Sequence, residues 1–122
     1  MVMLNQGGGN GGLVRVRDIL STDITHAQAG TGTATPSASD TGLGTAVAAT
    51  LESSSNTTST SPASITVTHI IPLPDGNSSA LTEWELRCNS NSDSLNRTVT
   101  APLTKRSTQE VHRITTIELT QD

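Results

Sequence analysis

Apolar and polar positions alternate with a period of two through most of this chain. In "SITVTHIIPL" Ile65, Val67 and His69 oppose Thr66, Thr68 and Ile70, and Pro72 stops the run, the pattern of a strand whose two faces meet different surroundings. "ALTEWELRC" sets Leu81, Glu83, Glu85 and Arg87 against Thr82, Trp84, Leu86 and Cys88. The second set is expected to be the buried face, which leaves the two carboxylates on a solvated or interface-facing side. "EVHRITTIELTQ" places Val111, Arg113, Thr115, Ile117 and Leu119 opposite His112, Ile114, Thr116 and Glu118. "LNRTVTAPL" reads as a further extended run, and "LVRVRDIL", with Leu13, Arg15 and Arg17 against Val14, Val16 and Asp18, as the first strand.

Between these runs the pattern breaks. "PDGNSS" and "NSNSDS" carry turn residues. "ESSSNTTSTSPAS" has no apolar period and reads as an exposed loop. In "SDTGLGTAVAAT" the spacing changes: Asp40 is placed to cap a helix, and Leu43, Val47 and Thr50 fall on one side at helical spacing. The spacing predicts a short helix there, with the Asp40 carboxylate accepting amides near Gly42 or Leu43. The sum is a mainly β chain, a small antiparallel β-sandwich with one short helix and an extended N-terminal arm. Residues 1–12 form the Gly-rich arm and residues 13–122 a single β-rich domain.

Composition sharpens this picture. Of 122 residues 32% are hydrophobic and 1% aromatic, so the interior is built from Val, Ile, Leu and Ala around Trp84, with Trp84 and Leu86 at its centre. A core this thin is marginal against backbone ordering of about 1–2 kcal/mol per residue, and partner surfaces are expected to complete it. The arm fits that expectation. Met1, Val2, Met3 and Leu4 offer an apolar tip, and Gly7, Gly8 and Gly9 carry no side chains to bury, which suits an assembly interface on a neighbouring subunit.

The formal charge of −4 is scattered and forms no basic stripe, which argues against nucleic acid. No run approaches the roughly 20 apolar residues of a membrane span, and no signal-peptide core precedes residue 25. The expectation is a soluble, cytoplasmically made chain without membrane contact.

Candidate chemistry is sparse. "GTGTAT" has Gly30 and Gly32 but Thr35 where a dinucleotide fingerprint needs a third glycine, and no lysine follows as a phosphate loop requires. His26, His69 and His112 lack paired ligand spacing, so no metal or cofactor is expected. Cys88, the only cysteine, falls on the Trp84 face and reads as a buried structural thiol. Glu83 and Glu85 lie about 7 Å apart on one strand face, a spacing open to glycosidic chemistry, but no aromatic sugar platform stands beside them. The sequons at Asn56, Asn77 and Asn96 are of a kind that arises by chance in a chain rich in Ser and Thr.

One order of features carries a resemblance. A "GTG…P…SDT.L" passage (Gly30, Thr31, Gly32, Pro36, Ser39, Asp40, Thr41, Leu43) is followed by a strand ending in proline, "ITVTHIIP". Then come a glycine turn, a "TE..L" strand with Thr82, Glu83 and Leu86, an Arg-bearing "LNRTVTAPLTK" and a closing "HRITTIELT". In this order the chain resembles the small tail-fibre and tail-collar proteins of tailed viruses. It departs from them at Glu85, where such chains carry glycine, and at Leu86-Arg87, where many carry Leu-Phe. The resemblance implies a loop at residues 30–43 and a non-enzymatic, structural role in the virion. It implies a homo-oligomer, a trimer or ring, contacting other tail or baseplate proteins. With no shaft or receptor tip after Asp122, a baseplate or tail-fibre adaptor fits the resemblance best. A capsid-decoration or tail-tube-associated protein is the alternative, and a glycan-binding receptor module a further one.

Overall fold

A computed structural model of the chain describes residues 11–60 and 62–120. An α-helix, α1 (Gly11–Asp23), leads directly into β1 (Ile24–Gly30). After a long excursion and one 3-10 turn (Ala48–Thr50), seven strands follow: β2 (Glu52–Ser53), β3 (Ser55–Thr60), β4 (Ala63–Ile71), β5 (Ala80–Cys88), β6 (Asp93–Ser94), β7 (Thr98–Thr104) and β8 (Val111–Glu118). They make two antiparallel sheets. One runs β2-β1-β5-β6, with β7 also on β5, and the other β3-β4-β8. The expected mainly β architecture of two antiparallel sheets with one helix is therefore present.

The inner faces meet in two apolar clusters. Ile24, Ala27, Ile65, Val67, Leu86 and Cys88 form one, with Leu20 and Ile117 packed on it. Ala29, Ile71, Leu81 and Trp84 form the other, with Val47 and Val111. Trp84 is 6% exposed, its Nε1 donating to Thr100 Oγ1 at 2.9 Å. Trp84 and Leu86 thus sit in the core as their alternation predicts.

Three local expectations are corrected. The first strand expected at residue 13 is helix α1, which also takes up Gly11 and Gly12 from the end of the expected arm. Leu13, Arg17 and Leu20 share a helical face. Arg17 is buried and donates through Nη1 to the Ser59 carbonyl at 2.8 Å, while Val16 and Ile19 point to solvent. Helical and two-residue spacings coincide in "LVRVR", and the partner surface decides between them.

The expected loop at residues 52–64 is instead β2, β3 and the start of β4. Here β3 is an edge strand of Ser, Thr and Asn pairing with β4 from Ser55↔Thr68 to Thr60↔Ala63. An edge strand exposed on most of its length has no need of an apolar period.

The expected Asp40-capped helix is a turn followed by a bridge, Gly30↔Ala46. Its only helical piece is the 3-10 turn, which has no side-chain cap at Val47. Met1, Val2, Met3, Leu4, Gly7, Gly8 and Gly9, the expected assembly interface, lie outside the described residues.

Candidate functional site

Of the residues singled out from the sequence, Gly32, Asp40 and Glu83 converge on the outer face of β5, while Trp84 and Leu86 face the core. The alternation that buries Trp84 turns Glu83 and Glu85 the other way, yet neither is solvated as expected. Glu83 is 0% exposed because residues 31–47 fold back over this face. They leave the end of β1 and return beside it through Thr31 N to Thr45 O at 2.8 Å and Val47 N to Ala29 O at 3.0 Å.

Glu83 holds this excursion. Its Oε2 accepts the amides of Gly32 at 2.7 Å and Thr45 at 2.8 Å, and its Oε1 accepts the Gly44 amide and Arg97 Nε, both at 2.8 Å. Arg97 then reaches Asp40 Oδ2 through Nη1 at 3.0 Å and the Ala34 carbonyl through Nη2 at 2.9 Å. Burial opposes ionisation of Glu83, but the amides of Thr45, Gly44 and Gly32 and the Arg97 guanidinium outweigh it and hold its pKa at about 2.

The same bonds explain why Asp40 does not cap a helix. Its Oδ2 accepts the Ser37 amide and Arg97 instead, and the amides of Gly44 and Thr45 belong to Glu83. Leu43 is half-buried in this excursion. Glycine is required at position 32, where a Cβ would lie 2.5 Å from Glu83 Oε2. Glu85 pairs with Arg87 at 2.7 Å, and its Oε2 is buried without a partner.

A second polar group lies inside the sandwich, where a hydrophobic core is expected. His69 and Arg113 are register partners on the inner faces of β4 and β8. His69 Nε2 donates to the Thr50 carbonyl at 2.8 Å, and its ring stands edge-on to Trp84 at 6.4 Å. The Arg113 guanidinium carbon lies 5.0 Å from the Trp84 ring centre, within cation–π range. Burial lowers the His69 pKa, against the Thr50 bond that raises it, and the Arg113 charge lowers it further.

Other residues that the sequence brought forward have structural partners. Asn56 donates to the carbonyls of Ser21 and Ile24, Asn77 accepts from Lys105, and Asn96 accepts the Leu86 amide. Lys105, 1% exposed, is held by Asn77 Oδ1 at 2.7 Å and the Leu73 carbonyl at 2.9 Å. Cys88 is buried, and its pKa is raised by desolvation and by the neighbouring Asp23 and Asp93 carboxylates. Among the described residues no group of three His, Cys, Asp or Glu side chains is placed to hold a metal ion, and no helix is long and apolar enough to cross a membrane.

No protein-family model matches the chain, and no curated protein or solved structure matches it either. The geometry alone therefore bears on function. Sequence reasoning missed Arg97 as the partner of Glu83, and it missed Lys105 and the His69–Arg113 pair. The signal available for Arg97 was its position between a turn and a strand.

Proposed function

We propose that this chain is a structural virion protein of a tailed virus, a non-enzymatic baseplate or tail-fibre adaptor linking the tail tip to fibre or receptor-binding components. The observation that carries this reading is the Glu83 clasp. Gly32 and Asp40 from one stretch of the resemblance to tail-collar chains, Glu83 from a second and Arg97 from a third close one hydrogen-bonded unit. An order of features spread over more than half the chain is then one structural necessity: a loop, the strand that clasps it and the arginine that links them.

The exposed edge of the second sheet supports an assembly role. β8 pairs with β4 over eight residues without a bulge and is the last strand of its sheet among the described residues. Its outer face carries Ile114, 65% exposed. A long regular edge without Lys or Pro is open to pairing with another chain, as a homo-oligomer among other tail proteins would use it.

Mass spectrometry and cross-linking of gradient-purified particles from the encoding source test the proposal. The chain is expected in the particles, cross-linked to tail or baseplate proteins. Its absence from them, or cross-links confined to the capsid, would overturn the adaptor reading.

A further inference from the structure

One bond at the end of β8 shows which way its backbone groups point. Leu119 N donates to the Ala63 carbonyl at 2.8 Å, in the register that sets Glu118 opposite Ser64. Opposed residues of an antiparallel pair alternate between exchanging both backbone bonds and exchanging none. Val111, Arg113, Thr115 and Ile117 therefore bond to β4. The N–H and C=O groups of His112, Ile114, Thr116 and Glu118 point out of the sheet, and among the described residues no strand receives them.

The other edges are short, broken or covered. β2 and β6 have two residues each, and β7 contains Pro102 and pairs with a register shift. β3 packs against α1, whose Arg17 takes the Ser59 carbonyl. β8 has no such protection, and Ile114, 65% exposed on its outer face, lies diagonal to Ile70 of β4, 39% exposed.

This edge is complementary to itself. Two copies can bond antiparallel only where outward residues oppose outward residues. Centred on Thr115, His112 meets Glu118 of the second copy and Ile114 meets Thr116, each pair occurring twice by symmetry. Every outward residue of the strand is then used. An imidazole opposes a carboxylate at both ends, and the two Ile114 side chains, diagonal neighbours across the axis, join the Ile70 side chains in one apolar row. Centring on Ile114 instead would set Glu118 against Glu110, like charges directly opposed. Centring on Thr116 would set His112 against Thr120, beyond the strand.

We propose that β8 is the docking edge for a second copy of this chain, paired antiparallel about a two-fold axis at Thr115, so that the two three-stranded sheets become one. The inference rests on the assembly role read above for this edge and names its partner and register.

The test combines sedimentation equilibrium of the full chain with residue-resolved amide exchange by NMR, from micromolar to about millimolar protein, the range of a weak interface. A monomer–dimer equilibrium is expected. The amides of His112, Ile114, Thr116 and Glu118 should gain protection as the dimer forms, while those of Arg113, Thr115 and Ile117 are protected at every concentration. In a mixture of labelled and unlabelled chains, an intermolecular NOE between the α-protons of Arg113 and Ile117 should report the register. Ile114→Lys charges the edge, and Thr116→Pro removes an outward N–H that β4 does not use. Each should weaken the dimer by at least about tenfold, with circular dichroism confirming the fold. Ile19→Lys, at a side chain 71% exposed on α1, should leave it unchanged. A monomer throughout, dimers with the outward amides unprotected, or full-strength dimers in both edge variants would overturn the proposal. So would an NOE from Arg113 to Thr115 in place of Ile117, or protection independent of concentration, as pairing with another segment of the same chain would give. A monomer would leave the particle reading standing, and absence from particles would leave the dimer standing.

Discussion

Arg97 Nε lies 2.8 Å from Glu83 Oε1, and both side chains are nearly or fully shielded from water. Fourteen positions apart in sequence, these residues fasten a third segment that neither adjoins, since Glu83 also receives the amides of Gly32, Gly44 and Thr45. Removing the Glu83 charge leaves the amides of Gly32, Gly44 and Thr45 facing a weaker acceptor and Arg97 with only Asp40 and the Ala34 carbonyl, a change that costs more than the net worth of the pair.

Glu83→Gln should therefore destabilise the fold by about 3–5 kcal/mol, the range for breaking a buried ion pair on one side. Urea unfolding followed by Trp84 emission checks this. Limited proteolysis should also show faster cutting within residues 33–44. A variant within about 0.5 kcal/mol of the parent would show that the clasp contributes little.

The acid response of Glu83 has a definite sign. Its folded pKa of about 2 lies below the ordinary carboxylate value, so its contribution is present above an unfolded pKa of roughly 4.3 and is lost as pH falls from there toward about 2. The slope of stability against pH in that window should be shallower in Glu83→Gln than in the parent.

His69 works in the neighbouring window. Its pKa is lowered in the fold, so the unfolded chain binds the proton more readily, and stability should decline as pH falls below roughly 6.5. Melting temperatures between about pH 7.5 and 5.5 should fall for the parent and change less for His69→Asn. An equal slope in both would assign the decline to another group.

Gly32→Ala places a methyl 2.5 Å from Glu83 Oε2, closer than non-bonded atoms tolerate. The expected cost is about 1–3 kcal/mol, as for other overpacked sites, and it should shrink in the Glu83→Ala background, because truncating Glu83 removes the atoms that the new methyl meets. Additive costs in the double variant would refute that coupling.

Trp84→Ala should cost about 3–5 kcal/mol, as large-to-small core changes do. Denaturation must then be followed by circular dichroism, because the fluorophore is gone. A cost below about 1 kcal/mol would mean that the indole is not central to the second apolar cluster.

Where a strand's two faces meet unlike surroundings, its period was legible. Residues 63–71, 80–88 and 111–118 could be read as strands for that reason, and residues 98–104 only as an extended run between turns. The edge strand β3 could not, since all six of its side chains are polar and leave alternation nothing to mark. Helix α1 was missed because Val14 and Val16 mimic a strand, and the Arg17 bonds to Ser59 and Thr60 together with the packing of Leu20 show which face is inward. In the clasp, Gly32 and Asp40 stood out as loop residues, but the role of Glu83 stayed hidden. A carboxylate on the face opposite Trp84 looks solvated until one knows that residues 31–47 cover it.

The pairing of β1 with β5 also fixes an order of events during synthesis. Ala27 is matched with Leu86 and Gly30 with Glu83, so β1 waits for more than fifty further residues before its main sheet partner exists. In the interval only the two-residue β2 and the single bridge Gly30↔Ala46 can pair with it, while β3 and β4 are already joined by a short connection. On a ribosome that adds about 5–20 residues per second, the β1 edge stands open for roughly 3–10 seconds. Loop closure of this length is slow compared with local pairing. A chaperone or the ribosome surface has its longest opportunity to act on this strand, and until Glu83 has emerged the excursion over residues 31–47 is held only by its own backbone bonds to the end of β1.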